Sequence, residues 1–181
     1  KVCELENGQF NFKVNIDNPE QFIFIYEKNG PQRTYESFSF FIEPSENVKV
    51  VLNPDSISKS RITGSEIAEE FSKINKTLDK KYYSQLNQLR VKYQKAMKSD
   101  NDELQKSIIS KGDSISNEIV NWKLDYIESN PKSYIAAYFL QSLNDSKKIN
   151  VDTLKKYYNI LNKSLQGSKY YDKIDSFLST L

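Results

Sequence analysis

Three adjacent tyrosine pairs, Tyr82–Tyr83, Tyr157–Tyr158 and Tyr170–Tyr171, carry the most concentrated functional groups of the chain. On a helix, such a pair turns one ring inward and the next toward the rim. Rim aromatics favour recognition of a protein, peptide or glycan. The competing reading is ordinary helix packing with the hydroxyl at solvent. Tyr83, Tyr158 and Tyr170 are therefore the candidate partner-surface residues.

Other chemistry is thin. The 181 residues include no histidine and one cysteine, Cys3. Ser-His-Asp triads, Cys-His pairs, histidine metal sites, an internal disulfide and a Cys-x-x-Cys redox pair are thereby excluded. Cys3 reads as a small hydrophobe in a first strand, because only Lys1 nearby is basic and there is no second, resolving cysteine. Asp100, Asp102 and Glu103 cluster, as do Asp113 and Glu118, but without calcium-loop spacing; Asp100–Glu103 reads as a helix cap. Gly8, Gly30, Gly64, Gly112 and Gly167 are scattered, so no phosphate-cradling loop exists. The expectation is no catalytic residue, no metal and no cofactor. An enzyme would have to work with Asp, Glu and Tyr alone.

Charge points the same way. The net charge is +2, with a pI near 8.4. Arg33, Arg61 and Arg90 are the only arginines, which argues against nucleic acid. No apolar run reaches the ~18 residues of a membrane span. The chain begins at Lys1 without a methionine, so a removed signal, an excised piece or a lipid anchor in a precursor is expected.

The elements that must position these residues divide near position 63. Residues 1–62 hold seven of ten phenylalanines and a charge of −2; residues 63–181 hold ten of twelve tyrosines and +4. The first part reads as β, with turns at Asn7-Gly8, Asn29-Gly30-Pro31 and Glu43–Asn47. Phe10, Phe12, Val14 and Ile16 alternate with polar residues, predicting a strand. Phe22–Tyr26 is apolar on both faces and predicts an interior strand. Tyr35–Ile42, a strand begun by Val48, Val50 and Leu52, and a short strand near Ile57–Ile62 follow. Five or six strands in an antiparallel sheet or sandwich are expected.

The second part reads as helical. Thr63 and Glu66 fit a capping box. Ile67, Phe71, Ile74, Leu78, Tyr82, Leu86, Leu89, Tyr93 and Met97 then make one stripe on a helix of about 33 residues, roughly 50 Å long. Ser99–Asp102 interrupts it. Leu104, Ile108, Ile115, Ile119, Trp122 and Tyr126 return as a second stripe, predicting a long helical hairpin packed inside the chain. Gly112 marks a kink or a close approach. Asn130 and Pro131 fit the N-cap and first position of the next helix, and three shorter helices complete the chain. The expected fold is α+β, with an antiparallel β domain over 1–62 and a helical domain over 63–181.

Four segments also resemble a known arrangement. Gly8-Gln9-Phe10-Asn11-Phe12 resembles the Gly-x-Phe-x-Phe strand of a β domain of unknown function found ahead of thioredoxin-like domains. Phe40-Phe41-Ile42-Glu43-Pro44 with Val48-Lys49-Val50 is similar to its Glu-Pro-Gly and Val-x-Val segment, with Ser45 replacing the usual glycine. Ile62-Thr63-Gly64-Ser65 resembles its closing Ile-x-Gly-Ser. Asn130-Pro131-Lys132-Ser133-Tyr134 with Ala136-Ala137-Tyr138 resembles the Asn-Pro-x-Ser helix that follows. The resemblance implies the N-terminal region of a Gram-negative envelope thiol:disulfide interchange protein of the TlpA-like type, a lipoprotein or periplasmic. It also implies a further strand before Gly8 and a Cys-x-x-Cys domain after the helices. This chain would then be a non-catalytic accessory region that docks a protein partner or that downstream domain. The alternative is a free-standing envelope lipoprotein that holds a glycan or peptide on a tyrosine-lined surface.

Overall fold

The computed structural model describes residues 9–28, 34–53, 55 and 57–181. Cys3 and the turns at Asn7-Gly8 and Asn29–Pro31 lie outside the described residues. The architecture is α+β: strands come first, then helices.

β1 (Glu20–Lys28) and β2 (Thr34–Ile42) pair antiparallel, with Phe22 opposite Phe40 and Phe24 opposite Phe38. Period-two geometry puts all four rings on one face. Phe10 stacks on Phe24 at 5.5 Å and extends that layer. β3 (Lys49–Val51) pairs with β4 (Arg61–Thr63), Val50 opposite Ile62. Phe38, Ile57, Ile62 and Ala68 close a small core between the two ribbons, with Val48, Val50 and Leu52 around it. Ile57 is fixed there because its N–H donates to the Glu36 carboxylate at 2.8 Å.

Three expectations change here. The described residues hold four strands in two separate two-stranded ribbons, rather than one sheet of five or six. Residues 10–16 join no ladder; only Gln9 forms a bridge. Their alternation is nevertheless largely visible, since Phe10, Val14 and Ile16 are half-buried while Asn11, Lys13 and Asn15 are exposed; Phe12, also exposed, is the exception. Period two reports one-sided burial, which needs no hydrogen-bonded neighbour. β1 is likewise not an interior strand: among the described residues it pairs with β2 alone.

The ribbon is pegged into the helical core by Phe41. Odd-numbered and fully buried, it meets Phe71 at 4.8 Å, Tyr138 at 5.3 Å and Tyr170 at 6.0 Å, all edge to face. The turn after β2 places Ser45 at φ 66°, the left-handed region that a glycine occupies without cost.

α1 (Glu66–Leu78) is capped two residues later than the capping box suggests. Ser65 is the cap, accepting from the Ala68 N–H at 3.2 Å, whereas Thr63 is held in β4 opposite Lys49. Between them, Gly64 has φ 91°, and a Cβ there would meet the Asn47 carbonyl at 2.8 Å. The long helix then runs to Lys98, as α1, a π turn over Asp79–Tyr83 and α2 (Ser84–Lys98). The π turn has a readable cause. Ile74, Leu78, Tyr82 and Leu86 are spaced by three successive fours, and each four overshoots a helical turn by about 40°. One inserted residue restores the phase, and the Ser84 N–H reaches back five residues to the Asp79 carbonyl.

α3 (Asp102–Ser129) returns along α2 after a three-residue turn, with Asp100 at φ 48° and Asn101 capping the Leu104 N–H at 3.0 Å. The predicted hairpin is present. Its body half is covered: Ile67, Phe71, Ile74, Leu78 and Tyr82 are buried. Its distal half is not, because Leu86, Leu89 and Tyr93 are half-buried and Met97 is exposed. Gly112 neither kinks α3 nor admits a close neighbour; a Cβ there would meet nothing within 4 Å.

α4 (Tyr134–Asp145) is the hub, burying Ile135, Ala136, Ala137, Phe139, Leu140 and Leu143 against α3, α5 (Val151–Ile160) and α6 (Lys169–Leu178). Its cap is Ser133, whose hydroxyl accepts from the Ile135 N–H at 3.1 Å. Asn130 instead closes α3, with its side-chain amide donating to the Tyr126 carbonyl at 2.9 Å, and Pro131 offers its carbonyl to the Asn162 N–H at 2.8 Å. Asn-Pro is thus a junction between helices.

Candidate docking surface

The three candidate tyrosines have different fates. Tyr170 is only 5% exposed. Its hydroxyl accepts the Gln21 N–H at 2.8 Å, and its ring lies 5.3 Å from Tyr138. It is a core residue and presents no ring to a partner. The cause is helical phase: Tyr170 and Tyr171 both turn inward, because Ile174 shares their face and all three are buried. Tyr83 and Tyr158 behave as the pair rule says, each half-buried beside a buried Tyr82 or Tyr157.

They do not converge on one place. Tyr83 neighbours Tyr138, and burial raises its phenol above the ordinary range, aided by that second ring. Tyr158 donates to the Asp175 carboxylate and packs 5.0 Å from Tyr171. Burial, then the bond to Asp175, pushes its phenol well up. Both hydroxyls are neutral donors at ordinary pH, suited to holding structure.

The acidic cluster also resolves into structure. Asp102 and Glu103 occupy the first turn of α3, where the helix dipole favours carboxylates. Among the described residues, no group of three or more His, Cys, Asp or Glu gathers to hold a metal ion. No described helix is long and apolar enough to cross a membrane.

Two half-buried polar features escaped the sequence reading. Tyr126 donates to Glu70 at 2.6 Å and lies 3.2 Å from the Ser133 hydroxyl, joining α1, α3 and the cap of α4. Burial and the Glu70 bond hold its phenol far above normal. Lys123 lies 5.1 Å from the centre of the Phe139 ring, and burial lowers its ammonium. Tyr126 is legible in the sequence only as a member of the second apolar stripe, and Lys123 only by its position beside it.

Two surfaces remain uncovered. On the odd face of the ribbon, beyond Phe41, stand Ile23, Ile25 and Tyr35, at 60%, 64% and 62% exposure. Across the ladder the two isoleucines face only small hydroxyls, Ile23 opposite Ser39 and Ile25 opposite Ser37. Single exposed apolar residues are normal, whereas three neighbouring ones on one ribbon form an uncovered apolar patch. The second surface is the distal hairpin, where α2 and α3 leave a shallow groove between them.

The strand region is also where a likeness to known proteins falls. Residues 2–71 match the model of a domain of unknown function, DUF4369. The match covers both ribbons and the start of α1. It contains the Gly8–Phe12, Phe40–Val50 and Ile62–Ser65 segments, while the Asn130–Tyr134 segment lies outside it. No curated protein and no solved structure matches the chain.

Proposed function

We propose that the chain is a non-catalytic accessory region of a cell-envelope thiol:disulfide oxidoreductase of the TlpA-like type, and that it docks a protein partner, first of all the thioredoxin-like domain that follows in such proteins. The observation that carries docking is the uncovered face of Ile23, Ile25 and Tyr35. A two-stranded ribbon with one apolar face open is half of a layer and gains by being covered. The resemblance in the order of the four sequence segments supports the oxidoreductase setting, and three of those segments lie within the matched residues 2–71. An envelope location and a lipid anchor in the precursor belong to the same reading. The alternative, a free-standing lipoprotein holding a glycan or peptide, keeps only Tyr83 and Tyr158 of its three aromatics, on separate neighbours.

The test starts from the reading frame beyond Leu181. A Cys-x-x-Cys thioredoxin-like domain is expected. A stop codon there removes the oxidoreductase setting and leaves the alternative. Given such a domain, Ile23→Asp with Ile25→Asp in the full protein should leave unfolding unchanged. It should also free the two parts from one another, read as faster amide exchange along Tyr35–Ser39. Unchanged exchange would rule out the ribbon face as the docking surface.

A further inference from the structure

We propose that the distal hairpin is a dimerisation arm that pairs with a second copy of this chain to form a four-helix bundle. The proposal is independent of the oxidoreductase reading. It starts from a stripe that outruns its cover. Leu86, Leu89, Tyr93 and Met97 continue the buried stripe of α1 past the body, and Met97 is 54% exposed. On α3, Ile109 is 50% exposed on the same side. Between them lies a groove of about 230 Å³, lined by Leu86, Leu89, Tyr93, Ile108, Ile109 and Gly112 with Arg90 at the rim. That is below the ~300–1,000 Å³ typical of small-molecule pockets. It suits protruding side chains of another helix, and the missing Cβ of Gly112 deepens it.

The charges select the occupant. Ser84–Lys98 carries Arg90, Lys92, Lys95 and Lys98 and no acid. Asp102–Glu118 carries Asp102, Asp113, Glu103 and Glu118 against Lys106 and Lys111. Arg90 lines the groove, and at ~100° per residue Lys98 falls on the same side of α2 while Asp102 and Asp113 flank Ile109 on α3. Antiparallel pairing of the two helices puts Arg90 near the height of Asp113, and Lys98 near that of Asp102. None of these four makes an ion pair among the described residues.

A two-fold axis along the hairpin turns the second copy so that its α3 faces the first copy's α2, tips together. Arg90 then meets Asp113 of the other copy and Lys98 meets its Asp102, each twice by symmetry. The opposite arrangement, α2 on α2, sets like charges against each other. The arm is thus complementary to itself in shape and in sign, with left-over apolar rows at the packing positions of a four-helix bundle.

The experiment in its simplest form is light scattering of the purified chain over a concentration series. A dimer is expected, and a monomer at ~100 μM, where even a Kd of tens of micromolar would show, overturns the proposal. Arg90→Glu should raise the dimer Kd about tenfold, since each exposed pair contributes modestly but is lost twice and replaced by repulsion. Arg90→Glu with Asp113→Arg should restore it. Both positions are exposed, so circular dichroism should stay that of the parent. A dimer insensitive to Arg90→Glu, or not restored by the double change, places the interface elsewhere and overturns the assignment. Ile109→Asp should yield a folded monomer; a dimer that survives it is equally fatal.

Discussion

The backbone N–H of Gln21 donates to the hydroxyl of Tyr170 at 2.8 Å, a bond between residues 149 apart in sequence. It is flanked by Asn18, whose side-chain amide donates to the Gly167 carbonyl at 3.0 Å, and by the Glu20–Lys169 ion pair at 3.0 Å. Three contacts in a row staple the start of β1 to the start of α6. With Phe41 seated in the helical core, the first ribbon is fastened to the helices on its odd face.

Tyr170→Phe should therefore cost about 1–2 kcal/mol, because it strands a half-buried backbone donor while keeping the ring. Tyr170→Ala should cost about 3–5 kcal/mol by opening a cavity as well. Urea unfolding measures both. A change within ~0.5 kcal/mol for the alanine variant is what a surface residue would give, and would contradict the buried placement.

Ser45→Gly should stabilise the chain by about 0.5 kcal/mol. At φ 66° a serine bears roughly 1–2 kcal/mol of left-handed strain, offset in part by the extra freedom of glycine in the unfolded chain. The turn's own bonds, from the Glu43 N–H to Glu46 Oε2 at 2.8 Å and from the Glu46 N–H to the Glu43 carbonyl at 3.4 Å, use no side chain of Ser45. Lower stability on this change would show that the serine hydroxyl has a role of its own.

Gly112→Ala should also stabilise, by about 0.5–1 kcal/mol, since the position is mid-helix and a Cβ meets nothing. Thermal unfolding at low protein concentration reads this without the contribution of association. A loss of stability would mean that the space beside Gly112 is occupied.

Alkaline pH should unfold the chain cooperatively. Burial raises the phenols of Tyr83, Tyr126, Tyr138, Tyr157, Tyr158 and Tyr170, and carboxylates accepting from Tyr126 and Tyr158 raise those two further. The folded chain holds these protons while the unfolded chain releases them near the ordinary value of ~10. Stability is therefore full below pH ~10 and falls as pH rises above it. Lys123 opposes this weakly. Its lowered ammonium pKa means that stability recovers as it deprotonates, between its folded value and the ordinary ~10.4. Tyrosinate absorbance against pH should rise in one steep step, later than in free tyrosine. Gradual titration near pH 10 would show that the rings are open to water.

Much of the fold is legible in residue spacing, and the exceptions have local causes. The two hairpin stripes and the apolar α4 are read correctly because period 3–4 spacing over several turns admits few alternatives. Ser65 and Thr63 are equally good caps, and only the pairing of Thr63 with Lys49 decides between them. Phe10–Ile16 alternates as a strand does, yet alternation cannot say whether a neighbouring backbone is in reach. Phe22–Tyr26 looks interior, but Ile23 and Ile25 are the open face; a continuous apolar run does not distinguish a covered surface from one awaiting cover. Tyr170 and Tyr171 differ from the other tyrosine pairs only through the phase of α6, fixed by Ile174 one turn further on.

The π turn at Asp79–Tyr83 has a consequence for how the arm is aimed. It lies where the long helix leaves the body, just beyond buried Leu78. Everything distal hangs from this one joint. Deleting the extra residue there would close the ordinary ladder in the present phase, whereas closing that ladder around all the residues would swivel the outer hairpin by roughly 100° about the helix axis. The grooved side would then look in a different direction while every local helix remained intact. The π turn that takes up the supernumerary residue thus acts as the bearing that sets which way the arm faces.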